Sequence, residues 1–387
     1  MVPKLILVEP GAFLLQGHYR EKLILWVKAL QSVGRSISVI CWEAPSGDFL
    51  ADIEFVPVPI LVRKVASLFP HRLYVLWAMF WTYFFAFQKA VAEGSSVLGL
   101  TTSTLLPVAA ARAAFRSHTL HFGQILMYGN SFDTVWPWRA RMARWSLLSL
   151  LRSGAAILPN TKRTQTMLAS QVESPALRSR IVTVYDPVYL AKKPAPDGEK
   201  PLDRMLLVPG LDDTRRTPLA HLEAGRLDPA PLTLHIHASA LSDERTEEIR
   251  ARVSALAGEA IISSTYLDQE GLFDLFASAS CSLLAYKPSL SQGSGFLVQS
   301  IVSGTPVLCS RFPHAEEIFA EFGRLGELFE FENMDDFRSA WARLRKWGAN
   351  EWAQFHTART LLMEQVNYEN IARSTIRILE TESDPHD

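Results

Sequence analysis

The chain has 387 residues, more than one hydrophobic core normally supports, so we predict two domains. Hydrophobic residues make up 48% of the chain and charged residues 20%, which excludes a disordered or fibrous protein. The formal net charge of -1 argues against a nucleic-acid-binding protein.

The first half of the chain alternates short apolar runs with longer amphipathic stretches, a pattern typical of a parallel sheet covered by helices on both faces. Residues 1–8 carry one positive charge and an apolar run too short for a signal peptide, so we expect a cytoplasmic protein. The predicted strands are 5–8, 36–41, 97–100, 119–122, 155–158 and 181–184. The predicted helices are 19–32, 62–92, 105–115, 138–151 and 162–171.

A stretch rich in proline and lysine, residues 186–203, cannot continue a helix or strand and marks the predicted domain boundary. The same alternation then restarts, and only helical periodicity remains from residue 335 to 380. The predicted strands are 205–208, 232–237, 260–263, 282–285 and 305–309, and the predicted helices are 244–256, 271–277, 296–302 and 316–321.

We therefore predict an α/β protein with two doubly wound, Rossmann-like domains. The first covers residues 1–187, the second covers 188–365, and a helix in 366–387 returns toward the first domain. Ligands of such sheets bind outside the carboxyl ends of the strands, so the cleft between the domains is the predicted active site.

The three cysteines, Cys41, Cys281 and Cys309, each lie in an apolar strand-like run, without a CxxC pair. This placement predicts buried thiols in a reducing compartment.

The segment from Ala285 to Phe296 carries the most chemical information. An apolar strand ends there, a loop of small residues follows, and a helix begins near Gly295. Free backbone N–H groups and the positive end of a helix suit a diphosphate. The residues predicted to bind it are Ser291, Gly293, Ser294 and Gly295. A plain strand-to-helix turn is the alternative, because short glycine-rich loops are weak signals.

This strand, loop and helix, followed by the sequence Gly-Thr-Pro-Val at residues 304–307, resembles the donor-binding core of the GT-B glycosyltransferases, particularly glycosyltransferase family four. The resemblance extends from about residue 205 to residue 372. It implies that Gly210 ends the first strand of a nucleotide-sugar-binding domain and that Arg215 or Arg216 grips the donor diphosphate. Two guanidinium groups can neutralise a diphosphate through bidentate bonds, although a solvated charged turn explains them as well.

Many members of that family carry two glutamates eight positions apart, the second of which binds the donor ribose. The resemblance places Ser291 and Gln299 at these positions, and Gln299 can bind a hydroxyl without supplying charge. It also places Glu317, or its neighbour Glu316, in the helix after the glycine-proline strand, where first-turn carboxylates favoured by the helix dipole are the alternative.

In the first domain, the resemblance implies an acceptor-side loop that contains Gln16, Gly17 and His18. It also implies that His121 is a strand-end histidine that points into the cleft near the sugar, where it donates to the departing phosphate or holds a sugar hydroxyl. Asn160 fits a small polar site of the family, and it equally fits a helix N-cap. A structural role is the alternative for both histidines.

No metal site is predicted, because the chain has no His/Cys cluster at ligand spacing and Asp212-Asp213 is followed by arginines. No cofactor is expected beyond the nucleotide-sugar co-substrate, for which UDP- and GDP-linked sugars are the first candidates.

Two aromatic stretches lie in the first domain. Residues 71–87 are too short and too enclosed by strands to be a transmembrane helix, whereas residues 136–145 combine tryptophans with arginines as interfacial helices do. They predict peripheral docking on the cytoplasmic face of the inner membrane, where a lipid-linked acceptor lies. A buried aromatic core helix beside a solvated basic helix is the alternative.

The leading functional hypothesis is retaining, metal-independent glycosyl transfer to a glycan or lipid-linked acceptor in surface-polysaccharide or glycolipid assembly, with retention implied by the resemblance alone. A non-catalytic GT-B-like binding or partner subunit is the alternative. A sugar-phosphate epimerase on the same architecture is disfavoured, because no carboxylate pair is placed for such chemistry.

Overall fold

In the computed structural model the described residues are 4–10, 18–45, 50, 52–66, 69–100, 104–126, 137–190, 202, 204–228, 230–238, 241–290 and 293–381. The side chains of His18, Tyr19, Ala66, Arg72 and Thr381 are outside this description. The chain divides into two compact units. Unit 1 comprises Met1–Pro187 and Val366–Asp387, and unit 2 comprises Val188–Gln365.

Unit 1 contains a parallel sheet of six strands in the order β3-β2-β1-β4-β5-β6. Its strands are β1 (Leu5–Val8), β2 (Ile37–Cys41), β3 (Glu54–Pro57), β4 (Ser96–Gly99), β5 (Phe122–Leu126) and β6 (Ala156–Pro159). Its helices up to the domain boundary are α1 (His18–Ser32), α2 (Ile60–Ala66), α3 (His71–Glu93), α4 (Leu106–Ala113), α5 (Pro137–Arg152), α6 (Lys162–Ser170) and α7 (Pro175–Arg178).

Unit 2 contains a second parallel sheet of six strands, in the order β12-β11-β10-β7-β8-β9. Its strands are β7 (Met205–Pro209), β8 (Thr233–His237), β9 (Glu259–Ser263), β10 (Cys281–Leu284), β11 (Val307–Ser310) and β12 (Gly326–Phe329). Its helices are α8 (Pro218–Gly225), α9 (Asp243–Val253), α10 (Gln269–Ser278), α11 (Gly295–Val302), α12 (Pro313–Phe322), α13 (Met334–Arg345) and α14 (Ala349–Val366).

The two sheets have the same topology, because each starts at a central strand, grows to one side for two strands and then reverses direction. This reversal is the switch point at which Rossmann-like sheets bind ligands. It lies between β1 and β4 in unit 1 and between β7 and β10 in unit 2. The prediction of two doubly wound α/β domains is confirmed.

The last helix, α15 (Tyr368–Thr381), belongs to unit 1 and packs against α1. An ion pair between Arg35 and Glu380 joins the end of α15 to the segment that follows α1. The helical character predicted for residues 335–380 is confirmed, with α13, α14 and α15 in that stretch.

Three local predictions in unit 1 were wrong. The helix predicted for 62–92 is divided into α2 and α3, and Pro70 precedes α3. The segment predicted as a strand at 181–184 is not a regular strand, although it runs beside β6 through a bridge at Ile181 and hydrogen bonds from Val182 N–H and Val184 N–H. The strand predicted for 119–122 instead begins at Phe122 and ends at Leu126. It continues through the polar Gln124 because that side chain is buried with hydrogen bonds to Tyr83 and to the carbonyls of Gly99 and Ile125.

The aromatic helix α3 has two different faces. Tyr83 and Phe87 are fully buried and pack against Phe122 at the start of β5, as expected of a core helix. Leu73 and Leu76, near the start of the same helix, are exposed. Among the described residues, no helix is both long and apolar enough to cross a membrane.

The predicted burial of the cysteines is confirmed, since Cys41, Cys281 and Cys309 are buried in β2, β10 and β11 and form no disulfide. Burial raises the pKa of Cys41 to about 12, so this thiol stays protonated near neutral pH.

Candidate functional site

The most developed candidate site lies at the switch point of unit 2. Gly210 directly follows β7, has a positive φ of 102°, and donates its N–H to the carbonyl of His237 at 2.7 Å. Beside it, the segment that contains Arg216 pairs with the chain beyond β10: Thr217 N–H donates to Ala285 O at 3.0 Å and Lys287 N–H to Arg215 O at 2.8 Å. These bonds fix the segment across the carboxyl ends of both strands.

Arg216 is held at this switch point by backbone and aromatic contacts. Its Nη1 donates to Pro209 O at 3.0 Å, and its Cζ lies 6.0 Å from the ring centre of Tyr286 and 5.6 Å from that of Phe296. Its side chain is 17% exposed, and its Nε lies 3.6 Å from Asp213 Oδ2 in an ion pair, without a hydrogen-bond partner within the described residues. A Cβ on Gly210 would displace the guanidinium, and the positive φ of Gly210 is strained for any residue with a side chain.

Arg215 has a different environment from Arg216, although the sequence alone does not indicate which of the two binds the diphosphate. Its side chain is 57% exposed, and its Nη2 pairs with Asp213 Oδ2 at 2.9 Å. Burial raises the pKa of Asp213, but hydrogen bonds from Arg215 and the charge of Arg216 outweigh burial, so the pKa is lowered overall. Asp212 accepts hydrogen bonds from Leu219 N at 2.9 Å and Ala220 N at 3.3 Å, at the start of α8. Both aspartates therefore stabilise local structure.

The helix α11 begins next to Arg216. Ser294 is its N-cap residue, and its Oγ accepts from Leu297 N at 3.2 Å and donates to the Tyr286 hydroxyl at 3.1 Å. The N–H of Ser294 donates to His314 Nδ1 at 2.9 Å, which fixes the neutral histidine tautomer that carries its proton on Nε2. Burial raises the pKa of Tyr286, so the phenol remains protonated. These contacts hold the start of α11 in one orientation.

Of the other predicted donor-binding residues, Gly293, Gly295 and Gln299 lie at or near this helix start. Gly295 is exposed, and a Cβ built on it meets no atom within 4 Å, whereas Gly293 is half-buried. Gln299, one turn further along α11, is buried and donates its Nε2 to Tyr189 O at 3.4 Å. Glu317 lies half-buried in α12. Ser291 lies outside the described residues.

The prediction that His121 ends a strand was wrong. Because β5 starts at Phe122, His121 lies at the amino edge of the sheet, opposite the edge where ligands bind. Its Nδ1 donates to Leu379 O of α15 at 3.1 Å. The apolar run predicted a strand at 119–122, which would end just after His121. Because the strand begins where the predicted one ends, His121 lies at its amino end and not at its carboxyl end.

Asn160, one of the acceptor-side predictions, directly follows β6 and is buried. Its Nδ2 donates to Asp186 Oδ2 at 3.1 Å. Gln16 and Gly17 are outside the described residues, and only the backbone of His18, the first residue of α1, is described.

Sequence reasoning gave no role to Tyr286, His314, Lys22 or Asp186. Tyr286 and His314 lie within the segments that resemble the family. Tyr286 follows an apolar strand and His314 lies at a helix start, and a polar side chain at such a position was the signal that could have indicated a role in the site. Lys22 and Asp186 gave no signal, because a lysine in an amphipathic helix and an aspartate before a proline are usually solvated.

Over the part of the chain that the structure describes, no group of three or more histidine, cysteine, aspartate or glutamate side chains is arranged to hold a metal ion.

No protein-family model and no curated protein sequence matches the chain. Solved structures do match over nearly its full length. HepE from Anabaena in complex with UDP aligns with a TM-score of 0.67 and 13% identity, covering 98% of this chain and 100% of that chain. A glycosyltransferase from Rickettsia africae ESF-5 aligns with a TM-score of 0.66 and 12% identity, covering 99% of each chain.

The α,α-trehalose 6-phosphate synthase from Burkholderia multivorans aligns with a TM-score of 0.64 and 12% identity, covering 98% of this chain and 99% of that chain. At such identities, the likeness establishes the architecture. The two Rossmann-like units, with their shared strand order and a C-terminal helix that returns to unit 1, have the fold of the GT-B glycosyltransferases.

Proposed function

We propose that this protein is a glycosyltransferase that moves a sugar from a nucleotide-sugar donor, bound by unit 2, to an acceptor hydroxyl bound by unit 1. The observation that carries the proposal is the constrained guanidinium of Arg216 beside Gly210 and the start of α11, at the switch point of unit 2. The structural neighbour HepE is known in complex with UDP-glucose. An anion-binding helix start beside a fixed arginine is suited to a nucleoside diphosphate.

In the proposed reaction, the bond between the anomeric carbon and the diphosphate oxygen breaks, and the acceptor oxygen bonds to that carbon from the same face. The acceptor proton passes to the departing phosphate. Arg216 and the N–H groups at the start of α11 stabilise the negative charge that develops on the diphosphate. Because Arg216 supplies the positive charge, we propose that transfer needs no metal ion.

A thermal-shift panel with UDP, GDP, ADP, CMP and dTDP, each with and without magnesium, tests the donor site. A ligand present at a hundred times its Kd adds about 2.7 kcal/mol to the free energy of unfolding. We expect stabilisation by one base without magnesium, followed by turnover of the corresponding nucleotide sugar. No stabilisation by any nucleotide would contradict the proposal, and a shift that needs magnesium would contradict metal-independent transfer.

One observation favours the alternative of a non-catalytic nucleotide-sugar-binding subunit. Gln299 occupies the position that the family resemblance gives to a ribose-binding glutamate, and it donates to a main-chain carbonyl. This alternative would be supported if the protein binds a nucleotide sugar but neither hydrolyses it nor transfers the sugar to any glycan or glycolipid tested.

We also propose that unit 1 contacts the cytoplasmic face of the inner membrane, where a lipid-linked acceptor would lie. Trp138, Met142 and Trp145 form one exposed stripe on α5, and Arg139 stacks over Trp138 at 5.2 Å. The helix α4 packs against both α3 and α5. An apolar groove of about 420 Å³ opens on α3 and α4, lined by Phe69, Leu73, Leu76, Trp77, Phe80, Leu106 and Pro107. Tryptophan and arginine in such a stripe are typical of interfacial helices.

Replacing Trp138 and Trp145 with serine is expected to abolish flotation of the protein with vesicles that contain anionic lipid, because the exposed indoles supply most of the apolar area of the stripe. The matched control replaces two exposed leucines of unit 2, Leu232 and Leu361, with serine and should float like the wild type. Flotation of the tryptophan variant at the wild-type level would exclude membrane docking through α5.

A further inference from the structure

Three polar side chains from separate parts of unit 1 meet at the carboxyl end of β6. Asn160 directly follows the strand. Asp186 lies in an extended segment that runs beside β6, where Val184 N–H donates to Pro159 O at 2.9 Å. Lys22 reaches the same place from the second turn of α1. We call these three residues the Lys22 cluster.

The contacts within the Lys22 cluster centre on Asp186. Its Oδ1 lies 2.9 Å from Lys22 Nζ, and its Oδ2 accepts from Asn160 Nδ2 at 3.1 Å. The side chain of Lys22 is 3% exposed and that of Asp186 is 27% exposed. The ammonium and the carboxylate therefore neutralise each other, while Asp186 gives the cluster access to solvent.

The cluster retains unused hydrogen-bonding capacity. Asn160 is 7% exposed, and its buried Oδ1 has no hydrogen-bond partner among the described residues. Lys22 Nζ likewise has no partner with hydrogen-bond geometry there, although it contacts Asp186 as an ion pair. Buried polar groups in native proteins nearly always have a partner, so unsatisfied groups next to a solvent-accessible carboxylate indicate a ligand.

The chemistry of the unused groups selects that ligand. The ammonium can only donate hydrogen bonds, and the Oδ1 of Asn160 can only accept them. A hydroxyl satisfies both, because it accepts from Lys22 and donates to Asn160. An anion would be repelled by the lone pairs of Asn160 Oδ1 and by the carboxylate of Asp186. A cation would be repelled by the ammonium of Lys22, so a neutral hydroxyl fits the cluster better than either ion.

We propose that the Lys22 cluster binds hydroxyl groups of a neutral sugar. If the protein is a glycosyltransferase as proposed above, the sugar is either the acceptor or the hexose of the donor, and the location in unit 1 favours the acceptor. If the sugar is the acceptor, the group that the cluster binds is a hydroxyl of the acceptor and not a phosphate.

Saturation-transfer NMR with the methyl α-glycosides of glucose, galactose and mannose, and with glucose 6-phosphate, tests the assignment. We expect at least one neutral glycoside to bind the wild-type protein, and to bind about five- to tenfold more weakly to Asn160→Leu and Lys22→Met. The matched control is Asn350→Leu, which changes an exposed asparagine of α14 and should bind like the wild type. If Asn160→Leu does not fold, Lys22→Met alone decides the outcome.

Competition separates the two possible sources of the sugar. A donor-sugar site predicts that UDP-glucose displaces the glycoside and that the variants lose affinity for UDP-glucose but not for UDP. An acceptor site predicts that the glycoside remains bound with UDP-glucose present. Equal glycoside binding by variants and wild type, absence of binding by the wild type, or tighter binding of glucose 6-phosphate would overturn the assignment. Thermal stabilisation of the wild type and the variants by UDP measures the donor site independently of glycoside binding. The proposed sugar site and the proposed nucleotide-sugar site can therefore each be contradicted without the other.

Discussion

Replacing Arg216 with methionine is expected to weaken UDP binding about 100-fold, which corresponds to about 2.7 kcal/mol. Methionine keeps an unbranched apolar side chain but removes the guanidinium, together with its contacts to the rings of Tyr286 and Phe296. The loss is large because the arginine is already held in place by Pro209 O, so little side-chain entropy is spent when a diphosphate binds. Isothermal titration calorimetry with UDP measures the change.

Arg215→Met is the matched control for this prediction. Arg215 is adjacent in sequence, carries the same charge and is mostly exposed in its ion pair with Asp213, so its removal should weaken UDP binding less than about threefold. Arg216→Lys should recover only part of the affinity, because an ammonium cannot make bidentate bonds to a phosphate. Equal losses for Arg215→Met and Arg216→Met would contradict the role given to Arg216.

Replacing Gly210 with alanine is expected to reduce both stability and nucleotide affinity. The backbone φ of 102° is unfavourable for any residue with a side chain, which costs about 1–3 kcal/mol in the free energy of unfolding. In addition, the new methyl group would occupy the space of the Arg216 guanidinium, so we expect UDP affinity to fall at least about tenfold. Chemical denaturation and calorimetry with UDP measure the two effects.

Gly34→Ala separates backbone strain from displacement of the arginine. Gly34 also has a positive φ, of 77°, but a Cβ there meets no atom within 4 Å. This control should lose stability and keep UDP affinity. In the double variant Gly210→Ala/Arg216→Met, the two losses of affinity should not add, because both act on one guanidinium. Additive losses, or normal UDP affinity of Gly210→Ala, would show that the glycine does not act through Arg216.

The sequence alone was sufficient for the fold class because the physical signals involved are local. A buried parallel strand has to be continuously apolar, a crossover helix has to be amphipathic, and both patterns can be read within a few residues, as in β1 and β7. The helix start at α11 was predicted for the same reason, since the serine cap and the following glycine are neighbours in the chain. β3, β12 and α8 were missed because each is short and carries a weak pattern.

What the sequence by itself determined is therefore the architecture and the segment that holds the candidate donor site. Only the tertiary structure decided which of Arg215 and Arg216 faces the switch point, since that depends on pairing with the distant segment that follows β10. It also placed His121 at the amino edge of its sheet and brought Lys22, Asn160 and Asp186 together. Strand register and contacts between distant segments are set by packing of the whole domain, which local patterns do not encode.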